Sequence, residues 1–113
     1  MCRFETSDAH KGEAHRPVRV PILKGDVYRA AREMVEDLEG WKIVRADDEG
    51  HVLHCEAPGG FLAGTAKVTI RVEGPSDLPS STVHVRSESE GGLLARDRAI
   101  VASFVRPFHR RVC

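Results

Sequence analysis

The nine residues Thr65-Ala-Lys-Val-Thr-Ile-Arg-Val-Glu73 alternate between apolar and polar side chains without a break. A period of two matches a strand with one buried and one wet face, because successive side chains leave a pleated backbone on opposite sides. Ala66, Val68, Ile70 and Val72 therefore share the buried side. The alternation returns in Ser81–Glu88, with Val83 and Val85 inward, and more loosely in Trp41–Ala46 and His51–Glu56. Asp47-Asp48-Glu49-Gly50 reads as a hairpin turn, and Gly74 through Ser80, with two prolines, as another. Pro17–Ile22 also alternates. Pro17 and Pro21 cannot donate to a ladder, so this segment is predicted at a sheet edge.

Elsewhere the period changes. Val27, Ala30, Ala31, Met34, Val35 and Leu38 recur at helical spacing, with Arg29, Arg32, Glu33 and Glu36 facing away. Asp26 reads as the cap of this helix and Gly40 as its stop. Leu93, Leu94, Ile100, Val101, Phe104, Val105 and Phe108 form the apolar stripe of a last helix, which Pro107 is predicted to kink or end near Arg106. The predicted order is β-α-β-β-β-β-α. It describes an α+β fold, a twisted antiparallel sheet with two helices packed on one face. The domain is placed at residues 16–113, after a flexible N-terminal tail over residues 1–15. A chain of 113 residues buries enough surface to fold without staples.

Charge narrows the function classes. Lys plus Arg and Asp plus Glu both number 17, so no net field draws the chain to nucleic acid or to an anionic membrane. No apolar run approaches the roughly 20 residues that span a bilayer. The first residues lack the apolar stretch of a signal peptide, so a cytoplasmic protein is expected. Cys2, Cys55 and Cys113 share no short spacing, which speaks against a disulfide framework or a CxxC pair. Reduced thiols are expected, with a Cys2–Cys113 bridge as the alternative.

Val85-Arg86-Ser87-Glu88-Ser89-Glu90-Gly91 resembles the strand-ending Arg-Ser-x-Ser-x-x-Gly run of a bacterial family catalogued as domain of unknown function 1499. An arginine-bearing helix follows, here with Arg96 and Arg98. The first helix, the Trp41 strand and the Val-Thr-Ile-Arg-Val strand fall in compatible order, so the likeness runs from residue 18 to residue 106. The chain departs from the family pattern at Thr65-Ala66-Lys67 and at Gly92-Leu93-Leu94, where the family carries acidic residues. The resemblance implies the same fold and no established chemistry.

The chemically suggestive residues mostly have bland explanations. His54 points opposite to His51 and Cys55, and the latter two lie roughly 13 Å apart along a strand, too far to share a metal ion. His54 and His84 on the outward face would be about 9–10 Å apart, with a cationic strand between them. Gly91-Gly92 before a helix could cradle a phosphate, but Glu88 and Glu90 sit beside it. Neither GxGxxG nor a Walker-type sequence is present, and spacing alone assembles no acid/base pair or nucleophile. No cofactor, no metal and no catalytic residue is assigned.

Two surfaces are left. If the strand valines and isoleucines face the helices, then Arg19, Lys42, His54, Lys67, Arg71, His84 and Arg86 face away. Glu56, Glu73 and Glu88 share that face, yet its centre is predicted to be basic. Aromatic residues are 5% of the chain and none falls at an outward strand position, so the stacking platform of a nucleic-acid binder is missing. The readings of this face, in order, are solvated surface, a protein or homo-oligomer contact, and a polyanion contact. The second surface is the loop Gly59–Gly64, whose Phe61 and Leu62 either fold over the core edge or form a docking tip.

The expected function is a non-enzymatic binding or interaction domain with a homo-oligomer or protein partner, acting through Phe61, Leu62, Lys67, Arg71, His84 and Arg86. The alternative is a small-molecule-binding protein or enzyme with a pocket between the sheet and the C-terminal helix. Trp41, Cys55 and Tyr28 would lie near that pocket, with Arg96 or Arg98 at its rim. Neither nucleic acid nor membrane is expected as a partner.

Overall fold

The alternating segment Thr65–Glu73 becomes the middle strand of an antiparallel sheet in the computed structural model, which describes residues 2–58, 65–89 and 97–112. In chain order the elements are β1 (Cys2–Glu5), a short 3-10 turn (Glu13–His15), β2 (Val18–Val20), α1 (Lys24–Asp37), β3 (Lys42–Asp47), β4 (Val52–Pro58), β5 (Thr65–Glu73), β6 (Ser81–Ser89) and α2 (Asp97–Val112). The strand order is β1-β6-β5-β4-β3, with β2 also paired to β6. Ala66, Val68, Ile70 and Val72 are each at most 3% exposed, and their polar neighbours face out. The α+β class and the two helices on one sheet face agree with the sequence.

The flexible tail predicted over residues 1–15 is corrected by the structure. Cys2–Glu5 pair with the far end of β6, from Cys2 opposite Ser89 to Glu5 opposite Arg86. β2 continues along the same edge, with Val18 opposite Val83 and Val20 opposite Ser81. At the seam, the Thr6 amide donates to the Val85 carbonyl at 2.9 Å, and the Thr6 hydroxyl accepts from the Val85 amide at 3.0 Å. The two short strands thus behave as one strand interrupted by an excursion. Glu13–His15 within that excursion pack against α2, and Arg19 grips Asp8 with two 2.8 Å hydrogen bonds. Four residues with a single large apolar side chain, Phe4, carry too little pattern to announce a strand.

Three local details also differ from the prediction. α1 starts at Lys24, so Asp26 is not its cap. It lies inside the first turn, where a carboxylate still favours the free amide end of the helix. Gly40 does follow the helix in a left-handed conformation, φ 82°, and a Cβ there would stand 3.1 Å from the Pro58 ring. In the hairpin, a bulge at Val44 lets Ile43 oppose Cys55 and Arg45 oppose His54. Ile43 and Ala46 then reach the core while Val44 is left 58% exposed.

Pro107 neither ends α2 nor stops it near Arg106, since the helix runs on to Val112. Proline removes one helical hydrogen bond, but buried Val105 and Phe108 on either side tie both turns to the core. Phe104 and Phe108 are fully buried and stack at 5.0 Å, with Trp41 tilted against Phe104 at 6.2 Å. Among the described residues no helix is long and apolar enough to cross a membrane.

Candidate functional site

The outward sheet face holds the predicted residues but not the predicted field. Lys67, Arg71 and Arg86 are exposed and His84 is half-buried. Antiparallel register sets Arg71 opposite His84, and Lys67 between Glu56 and Glu88. Arg71 Nε lies 2.7 Å from one Glu73 oxygen, and His84 Nε2 lies 3.2 Å from the other. Arg86 is paired with Glu88. The acids therefore interleave with the cations and cancel the basic centre that the sequence predicts. Arg71, His84 and Arg86 do meet, around a hollow of about 280 Å³ that Glu5 also lines. Lys67 lies at a neighbouring hollow of about 310 Å³ with His54 and Glu88. Phe61, Leu62, the Gly91-Gly92 pair and Arg96 fall outside the described residues.

Among the described residues, the two nucleophile candidates of the interior are held in their neutral forms. Cys55 is 3% exposed, and burial pushes its thiol up to about 12, so almost none is thiolate at neutral pH. The Tyr28 hydroxyl is likewise pushed up to about 12, first by burial and then by the bond it donates to Asp48 Oδ1 at 2.6 Å. Among the described residues, Val101, Phe104, Val105 and Phe108 of α2 belong to one buried cluster with Leu53, Cys55, Val68 and Val85 of the sheet. Tyr28 and Cys55, expected near a pocket between the sheet and the C-terminal helix, belong to this cluster and Trp41 packs against it, while Arg96 at the expected rim lies outside the described residues. No three His, Cys, Asp or Glu side chains converge to hold a metal ion among the described residues.

The outer side of α2 is different. Here a groove of about 630 Å³ runs along the helix, walled by His15 and lined by Arg98, Arg106 and Arg110 over Ala99, Ala102 and Pro107. Arg98, Ala102, Arg106 and Arg110 follow one another at intervals of four, a spacing that stacks side chains in one row down a helix. Among the described residues, none of the three arginines has a carboxylate within 4.0 Å, whereas Arg111 on the same helix pairs with Asp37 at 2.8 Å. The Arg98 guanidinium sits 5.4 Å from the centre of the Phe4 ring, which also stacks on His10 at 4.7 Å and meets His15 edge-on at 5.2 Å. Burial, and then the charge of Arg98, hold His15 below the ordinary histidine range.

No family model matches the chain, and no curated protein sequence matches it. Solved structures do. The di-domain ARO/CYC BexL from the BE-7585A biosynthetic pathway superposes with a TM-score of 0.62 at 13% identity, covering 99% of this chain and 45% of that one. TTHA0849 from Thermus thermophilus gives 0.57 at 15% identity over 98% of this chain and 97% of its own. The chain has a helix-grip-like fold. Ara h 8.0201 superposes with a TM-score of 0.50 at 9% identity, again over 98% of this chain and 97% of that one. The chain spans less than half the length of the di-domain protein. In this helix-grip arrangement the inner side of α2 is spent on the core, and the arginine row lies on the side left open to solvent.

Sequence reasoning missed this groove for identifiable reasons. It assigned His15 to a flexible tail and Arg98 to the rim of an inner pocket. The four-residue interval from Arg98 to Arg110 was the signal available.

Proposed function

We propose that this chain is a small-molecule-binding domain, and that its ligand is an organic anion seated in the α2 groove. One observation carries the proposal: three arginines without a carboxylate partner among the described residues line one shallow, open groove with an apolar floor. Guanidinium groups match carboxylate and phosphate in geometry as well as charge. The likeness to a di-domain ARO/CYC of a biosynthetic pathway supports a role with small molecules. Binding rather than covalent catalysis is favoured by the raised Cys55 thiol and Tyr28 hydroxyl. A protein or homo-oligomer contact through the outer sheet draws less support, because the charges there already satisfy one another.

The test is a titration of the labelled protein with carboxylates and phosphate monoesters, read by amide chemical shifts in nuclear magnetic resonance. Shifts are expected at Arg98 through Arg110. Arg106→Glu is expected to weaken binding at least about tenfold, about 1.4 kcal/mol, since it replaces an attraction by a repulsion. Silence across the whole panel, or shifts confined to the Arg71–His84–Arg86 hollow, would overturn the proposal.

Affinity should also depend on pH. His15 faces the Phe4 and His10 rings and the charges of Arg98 and Arg106. A bound anion offsets those charges and raises the His15 pKa above its free-protein value. A group that titrates higher in the complex makes binding take up a proton, so affinity grows as pH falls through the bound-state value. Calorimetry with a carboxylate ligand is expected to show tighter binding at pH 6 than at pH 8, with the ligand ionised at both. His15→Gln should flatten the trend.

A further inference from the structure

Resting on that reading of the groove, we infer that its ligand carries two anionic groups separated by an apolar spacer. The positive charge is not spread evenly. At about 1.5 Å of rise per residue, Arg98 and Arg106 stand about 12 Å apart along the helix axis, and Arg110 lies about 6 Å further on. Ala99 and Ala102 occupy the interval and bring no charge. One end of the groove thus holds Arg98 with His15, and the other holds Arg106 with Arg110. A single carboxylate, phosphate or sulfate is too small to touch both ends. A linear molecule with an acid at each end satisfies both and lays its middle on the alanine floor.

The spacing gives the length. An extended chain advances about 1.2 Å per bond, a third of the roughly 3.6 Å that one residue spans, so about ten bonds between acid carbons cover the interval. That is an α,ω-dicarboxylate with about nine methylenes. A short diacid reaches one end only, and a long monoacid leaves one end unmet.

The experiment measures affinity for α,ω-dicarboxylates of two to ten methylenes and for the monocarboxylate of matched length. The nine-methylene diacid is expected to bind at least about tenfold tighter than the two-methylene diacid and than the monoacid, tenfold being 1.4 kcal/mol. Arg98→Ala should bring diacid and monoacid within about threefold of each other, and Arg98→Lys should retain most of the preference. Circular dichroism confirms that both variants fold. Equal affinity for diacids and monoacids, or a diacid preference indifferent to Arg98→Ala, would overturn the two-ended ligand and leave the anion site standing. A glutamate-rich peptide that outcompetes every diacid would replace the small dianion by an acidic polypeptide. No binding by any acid would remove this inference and the proposed function together.

Discussion

Phe104→Ala is expected to lower the free energy of unfolding by roughly 3–5 kcal/mol, the range for deleting a large buried aromatic ring. Phe104 is fully buried, stacked on Phe108 at 5.0 Å and flanked by Trp41 at 6.2 Å. Lost burial is one part of the penalty. The other is the hole, since its walls cannot close: Phe108 belongs to the same rigid helix, and β6, against which α2 packs, is paired on both sides. A domain of ordinary stability, about 5–15 kcal/mol, loses a large share of it. Phe104→Leu, which fills most of the space, should lose distinctly less. Urea unfolding with an unchanged slope would register the difference. A loss under about 1 kcal/mol would mean that α2 does not clamp the sheet through this ring.

Asp97→Ala is expected to destabilise by roughly 2–5 kcal/mol, because it leaves two buried hydroxyls without an acceptor at about 1–3 kcal/mol each. Ser87 donates to Asp97 Oδ1 at 2.6 Å and Ser89 donates to Oδ2 at 2.7 Å. Their exposures are 5% for Asp97, 0% for Ser87 and 6% for Ser89, so water cannot replace the lost carboxylate without a rearrangement. Asp97 also stands in the first turn of α2, where negative charge is favoured. Asp97→Asn keeps an acceptor for one serine and should lose less. The triple variant with Ser87→Ala and Ser89→Ala should recover part of the loss, as it leaves no donor unmet. Thermal melts would show the order wild type, Asn, Ala. Equal melting points for wild type and Asp97→Ala would exclude the latch.

This latch also accounts for the two serines of the Arg86-Ser87-Glu88-Ser89 run. Two serines at i and i+2 point to one face of a strand, and here that face is the inner one. Their spacing was visible in the chain; their acceptor was not, because it arrives from another element. The outward face shows the same division. The outward orientation of Lys67, Arg71, His84 and Arg86 follows from alternation, but their neutralisation by Glu56, Glu73 and Glu88 depends on how the strands register against one another.

Local patterning alone thus determined which side chains of β4, β5 and β6 turn inward and which stripe of α1 is buried, because period and turn chemistry act over a few neighbouring residues. Only the tertiary structure decided what lies across from them: β1 against β6 through Thr6 and Val85, 79 positions apart, the bulge at Val44, and the arginine row of α2 left uncovered. Those outcomes depend on which distant surfaces meet and which stay wet, and no window of sequence contains both partners of such a contact.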